Sequence, residues 1–124
     1  MNKEAIEKNV VVKLSFEFSL DIIKYCELLE AQRKYVIARQ LMKSGTSIGA
    51  NIMEAQNAES RADFIHKFKI SAKEADETEY WLLLCSYSEE YPPCDELLSK
   101  IDALNRLIGK IISSSKQQKP VRNN

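Results

Sequence analysis

Apolar residues recur along this chain at alternating steps of three and four. Val11, Leu14, Phe18, Ile22, Tyr25 and Leu29 form the first such stripe. A helix turning every 3.6 residues brings these positions onto one face, whereas a strand would need every second position. Asn9 stands just ahead as an N-cap, and the spacing predicts a helix over about 10–30. Its weakest stretch is Val10-Val11-Val12, because β-branched side chains lose rotamer freedom in a helix. A second stripe, Ile37, Leu41, Ser44, Ile48, Ile52 and Ala55, predicts a helix over about 33–57. No glycine or proline marks the break between the two. Within the second helix, Lys43-Ser-Gly-Thr-Ser-Ile-Gly-Ala-Asn51 has the composition of a loop. The apolar period nevertheless passes through it in phase, and the segment reads as helix.

Ser60-Arg-Ala-Asp63 opens the third helix as a capping-box variant, with Asp where Glu is usual. Phe64, Phe68, Ser71, Ala75, Thr78, Leu82 and Cys85 then keep a 4-3-4-3 spacing, a heptad seam with small residues in its middle. Pro92-Pro93 cannot continue that helix, which is placed at about 61–90. Leu97, Ile101, Leu104, Ile108 and Ile111 mark a fourth over about 95–115, and the tail 116–124, without an apolar face, is expected to fray. Helices of this length on short links pack antiparallel to their neighbours. The fold class expected is therefore all-α, an up-and-down antiparallel four-helix bundle forming a single domain over 1–124.

Charge order gives an independent reason for that pairing. The third helix is basic first (Arg61, Lys67, Lys69, Lys73) and acidic later (Glu74, Asp76, Glu77, Glu79), against the helix macrodipole. The second is basic at its start (Arg33, Lys34, Arg39, Lys43) and acidic near its end (Glu54, Glu59). An antiparallel hairpin of the two lays each basic half beside an acidic one.

Composition changes this picture only by exclusion. With three glycines and three prolines in 124 residues, tight turns must be few. Eighteen basic and eighteen acidic residues give zero net charge, which argues against a dedicated nucleic-acid coat but leaves room for a local basic patch. The start, MNKEAIEKN, has no apolar core of a signal peptide, and no apolar run approaches the roughly 20 residues of a membrane span. Cys26, Cys85 and Cys94 lack CxxC spacing and read as reduced thiols. A cytoplasmic protein is expected.

Each candidate for chemistry has a plainer competitor. Ser44-Gly-Thr-Ser-Ile-Gly-Ala-Asn51 lacks the Lys-Ser/Thr ending of a phosphate loop and no strand precedes it. Gly45 and Gly49, with Ser44, Ser47, Ala50 and Asn51 beside them, read better as a small-residue surface where two helices approach closely. Ser71, Ala72 and Ala75 of the third helix are the expected partners. Gln40, Asn51 and Glu54 could meet Lys73, Glu74 and Glu77 in a polar network. Paired carboxylates can hold two metals, but di-metal bundles use two Glu-x-x-His motifs and this chain has one histidine, His66. No catalytic residue, metal site, cofactor or small-molecule substrate is expected. Trp81 lies off the seam on a second face with Ile70, Glu74, Glu77 and Leu84, and either packs within the chain or anchors an oligomer.

Two blocks carry a resemblance. Gln40-Leu-Met-Lys-Ser-Gly-Thr-Ser-Ile-Gly-Ala-Asn51 followed by Glu54-Ala55 is one; Ala62-Asp-Phe-Ile-His-Lys67, Ile70-Ser-Ala-Lys-Glu-Ala75, Glu77-Thr78 and Tyr80-Trp81-Leu82 make the other. Together they resemble a bacterial four-helix-bundle family that includes proteins encoded in intervening sequences of the large-subunit ribosomal RNA gene. The resemblance implies a homopentamer without enzymatic activity. It also extends to the accessory protein of diversity-generating retroelements, a positively charged pentamer that binds a reverse transcriptase and nucleic acid. The function expected is a non-enzymatic oligomeric scaffold or adaptor with a protein partner or RNA nearby. The alternative is a nucleic-acid-binding protein using Arg33, Lys34, Arg39, Lys43, Arg61, Lys67, Lys69 and the basic tail.

Overall fold

A computed structural model describes residues 2–117, and among them there are five helices and no strand. A short helix unforeseen from the apolar pattern, α1 (Lys3–Lys8), precedes the four long ones. It buries no residue, so no apolar stripe announces it; Asn2 caps it by accepting from the Ala5 N–H at 2.9 Å. The long helices are α2 (Val10–Ala31), α3 (Tyr35–Ala55), α4 (Arg61–Tyr87) and α5 (Asp95–Gln117). The frayed tail expected from sequence lies outside the described residues from 118 onward, while Lys116 and Gln117 still belong to α5.

Helix ends follow local chemistry. Asn9 caps α2 by accepting from the Val12 N–H, and Ser60 caps α4 by accepting from the Asp63 N–H at 3.0 Å. The reciprocal Asp63 bond reaches the Glu59 N–H rather than that of Ser60. The α2–α3 break is a Schellman turn. The Lys34 N–H donates to the Leu29 carbonyl, the Arg33 N–H donates to the Glu30 carbonyl, and Arg33 is left-handed at φ 61°. Arginine occupies the position usually held by glycine, which is why composition did not mark the boundary. At its far end α4 stops at Tyr87, three residues before the expected end. The Ser88 N–H closes on Cys85 and left-handed Glu90 turns the chain ahead of Pro92.

α2 packs on α3, α3 on α4, α4 on α5, and α5 returns to α2. Cross-links give the directions. Glu54, Ile48 and Ser44 of α3 meet Lys67, Ser71 and Thr78 of α4 in reverse order, so this pair is antiparallel. The buried interior holds Ile22, Leu29, Leu41, Ile48, Ile52, Phe68, Leu82, Ile101 and Ile108. The predicted stripes account for most of it. Leu14 is the exception at 43% exposed, because it lies at the outer seam of α2 and α5, beside Ala103 and Leu104. Val12, Ser15 and Cys26 are buried although they lie off the α2 stripe, since α2 has a neighbour on each side and needs a wider buried arc than one seam.

Candidate interaction surface

The small-residue segment of α3 is helical throughout and faces two neighbours at once. A β-carbon built on Gly45 would come within 2.9 Å of both γ-carbons of Ile22, and one on Gly49 within 3.2 Å of the Ser15 carbonyl oxygen. Both contacts are on α2. The expectation that the glycines meet the small residues of α4 is corrected: their nearest neighbours are on α2, and on the α4 side Ser71 meets Ile48 while Thr78 meets Ser44. The reason is angular, since Gly45 and Gly49 stand one helical position round from Ser44 and Ile48. Toward α4, Ser71 donates to the Ile48 carbonyl at 2.9 Å. Thr78 Oγ1 lies 2.9 Å from Ser44 Oγ and 2.7 Å from the Glu74 carbonyl oxygen. One hydroxyl hydrogen serves one acceptor, so Thr78 donates to Glu74 and Ser44 donates to Thr78. Ser47 donates to Lys43, Asn51 donates to Ser47, and Ala50 is exposed.

The polar network expected from Gln40, Asn51, Glu54, Lys73, Glu74 and Glu77 does not form as such. Gln40, Lys73 and Glu77 are exposed, Asn51 bonds within its own helix, and Glu54 pairs with Lys67 at 3.3 Å. Lys67 lies across the hairpin from Glu54, in the register that the opposed charge halves require. Glu74 is half-buried, and burial, followed by repulsion from Glu77, raises its carboxyl above the usual range. Among the described residues, no three His, Cys, Asp or Glu side chains are grouped so as to hold a metal ion.

Trp81 is half-buried, edge-on to Tyr80 at 5.3 Å between centroids, and its Nε1 is buried with no hydrogen-bond partner. A shallow depression beside it is lined by Lys34, Tyr35, Ile37, Gln40 and Tyr91. Lys34 Nζ sits 4.2 Å over the Tyr91 ring. The basic residues fall into two groups. Arg33 and Lys34 stand in the turn just before α3 and Arg39 and Lys43 within its first three turns, and Arg61, Lys67 and Lys69 belong to the start of α4. Because the two helices are antiparallel, the groups lie at opposite ends of the pair and do not merge into one patch on one chain.

Two features go beyond what the core stripes foretell. The first is exposed apolar surface away from those stripes. Phe16 (39%) and Leu20 (45%) border a groove of about 300 Å³ between α2 and α3. Tyr80, Leu83, Leu84 and Tyr87 stand exposed along the last turns of α4. The i, i+4 pairs Phe16–Leu20 and Tyr80–Leu84 carry that signal in the sequence, each on a face other than the core seam. The second is a buried thiol–phenol group. Tyr25 donates to the Pro92 carbonyl at 2.7 Å, and Cys26, Cys85 and Cys94 are all buried. Burial raises all three thiols, Cys26 to about 12, and pushes the Tyr25 phenol up as well.

The family model described as 23S rRNA-intervening sequence protein matches residues 7–112. The chain is also similar to a protein with unknown function from the S23 ribosomal protein family of Bacteroides thetaiotaomicron VPI-5482, whose crystal structure was determined at 1.70 Å. The two are 42% identical and superpose with a TM-score of 0.79 over 82% of this chain and 97% of that one. A search of curated proteins found no match.

Proposed function

Because the chain belongs to the 23S rRNA-intervening sequence protein family, we propose that it is a non-enzymatic scaffold or adaptor, built as an up-and-down four-helix bundle that assembles into a closed homo-oligomer. The cyclic packing of α2, α3, α4 and α5 supports the bundle. The observation that carries assembly is the exposed apolar surface on two sides of one chain, at Phe16 and Leu20 of α2 and at Tyr80 to Tyr87 of α4. Surface of this kind, rimmed by charge, marks contact with another macromolecule. The count of five follows the family resemblance, and closure matters because a head-to-tail contact that fails to close gives filaments. Buried reduced thiols support a cytoplasmic setting; among the described residues no helix is long and apolar enough to cross a membrane. Sedimentation of the purified protein tests the reading: a discrete oligomer supports it, and a monomer at tens of micromolar overturns it.

A second reading has one observation in its favour. Arg33, Lys34, Arg39 and Lys43 fall at or within the first three turns of α3, whose first turn holds no acid. In a ring these clusters repeat once per subunit and would track an RNA backbone. Binding of a single-stranded RNA should then weaken with salt by a slope of about −0.7 per phosphate neutralised. Salt-independent binding or none removes this reading.

A further inference from the structure

We propose that Cys85 and Cys94 form a redox latch: oxidation by a small organic disulfide joins them in an internal disulfide that ties the end of α4 to the start of α5.

Cys85 lies in the last turn of α4, and Cys94 caps α5, its carbonyl accepting from the Leu98 N–H at 2.9 Å. Both are buried where α4 packs on α5. The Cys94 thiol donates to the Leu82 carbonyl at 3.3 Å, and Leu82 precedes Cys85 by one turn on the buried face of α4. Both sulfurs lie within hydrogen-bonding reach of the Tyr25 hydroxyl, whose own hydrogen goes to the Pro92 carbonyl. Two thiols gathered about one oxygen have the proximity that a disulfide needs. Cys26 is the competing thiol. It lies near Cys85, but its hydrogen bond goes to the Ala38 carbonyl of α3 and it does not share the Tyr25 hydroxyl. Among the described residues, no third ligand joins the pair in a group fit for a metal, so the chemistry open to it is that of a dithiol.

The turn between the two cysteines is lightly tied. Among the described residues, the backbone of 89–93 makes no hydrogen bond to other backbone; the Tyr25–Pro92 bond and Lys34 over Tyr91 hold it instead. Segments with so few backbone bonds open locally while the rest stays folded. Opening frees Cys94 first, since it already lines a depression of about 390 Å³ between α2 and α5, with Lys24 and Lys100. Burial keeps both thiols protonated in the closed form, so exchange waits on opening.

The chemistry is thiol–disulfide exchange. The Cys94 thiolate attacks one sulfur of the external disulfide, forms a mixed disulfide and expels a thiolate. The Cys85 thiolate then attacks the Cys94 sulfur, forming the internal bond and expelling the second thiolate. The two cysteine protons end on the two expelled thiols, and the two electrons lost by the protein reduce the external disulfide. The segment so fixed carries Tyr91 into the depression beside Trp81. A reversible bridge of this kind suits a reducing compartment, where disulfides are transient and redox-sensing.

The test incubates the full-length chain at neutral pH with glutathione disulfide, in buffer and in urea below the unfolding transition. The expected product has lost two hydrogens, carries no glutathione, and keeps one of its three thiols open to alkylation after unfolding. Peptide mapping should join Cys85 to Cys94, and dithiothreitol should restore the starting mass. Oxidation should run faster in the sub-denaturing urea, and the oxidised form should melt at a higher temperature than the reduced one. Cys26→Ser should still form the bridge, and Cys94→Ser, which keeps a residue suited to an N-cap, should not. Circular dichroism checks that each variant is folded. A glutathione adduct that persists on Cys94, a bridge to Cys26, no bridge short of full unfolding, or an oxidised form that melts lower would each overturn the latch.

Discussion

Gly45→Ala is expected to destabilise the protein although alanine is the better helix former. The added β-carbon would lie 2.9 Å from Cγ1 and Cγ2 of Ile22 and 3.3 Å from its Cβ, well inside the roughly 3.5–4.0 Å optimum for carbon pairs. Ile22 is fully buried, and its two γ-carbons are fixed one bond from Cβ, so relief requires α2 to move. Overpacking of this kind costs about 1–3 kcal/mol, against about 1 kcal/mol gained in helix propensity. The net expectation is a loss of about 1 kcal/mol. Ile22→Ala removes the two γ-carbons at 2.9 Å and leaves only the Cβ at 3.3 Å, at its own cost of about 2–5 kcal/mol. In that background Gly45→Ala should stabilise by about 1 kcal/mol through propensity alone. The sign reversal implies a coupling of about 2 kcal/mol. Gly109→Ala is the control: a β-carbon added there would meet no atom within 4 Å, and the change should stabilise by about 1 kcal/mol. Urea midpoints followed by circular dichroism at one fixed chain concentration read all of these variants, because assembly makes stability concentration-dependent. The same sign for Gly45→Ala in both backgrounds would refute the close α2–α3 crossing.

Thr78→Val leaves the buried Ser44 hydroxyl without its side-chain partner and should cost about 1–3 kcal/mol; adding Ser44→Ala should recover part of it, and chemical denaturation checks both. Arg33→Gly relieves a left-handed arginine worth about 1–2 kcal/mol, less about 0.5–1 kcal/mol for glycine's unfolded freedom. A higher melting temperature is expected, and a lower one contradicts the Schellman turn. The three thiols have folded pKa values above their unfolded ones, so their contribution to stability is complete below the ordinary thiol pKa of about 8.5. It is lost as pH rises toward about 12 at Cys26. Alkaline unfolding that tracks thiol ionisation in the ultraviolet is expected, with little reaction toward a thiol reagent at neutral pH in the folded state.

Apolar spacing made the four long helices legible, including the glycine-containing stretch of α3, because burial on one face dominates local propensity there. Asn9 and Ser60 were readable as caps because their side chains act on the backbone a few residues away. What spacing could not resolve was which neighbour each face meets. Gly45 and Ser44 are adjacent in sequence yet point to different helices, and only the crossing geometry decides that Gly45 takes α2 and Ser44 takes α4. Arg33 hid the α2–α3 turn because the usual glycine signal is absent. α1 was invisible for want of a buried face. The candidate network failed for a related reason: long side chains such as Lys67 and Glu54 choose among several partners within reach, and a helical wheel cannot rank them.

Light scattering on the purified full-length chain tests the central claim most directly. Five copies of a 14.2 kDa chain give a particle of about 71 kDa, and its mass should stay constant on dilution through the micromolar range if the ring is closed, since each subunit is then held by two contacts. A mass that grows without limit would indicate an open chain of subunits, and a dimer or tetramer would correct the count. A monodisperse 14.2 kDa species at tens of micromolar would contradict the account, leaving the exposed apolar residues of α2 and α4 without a partner.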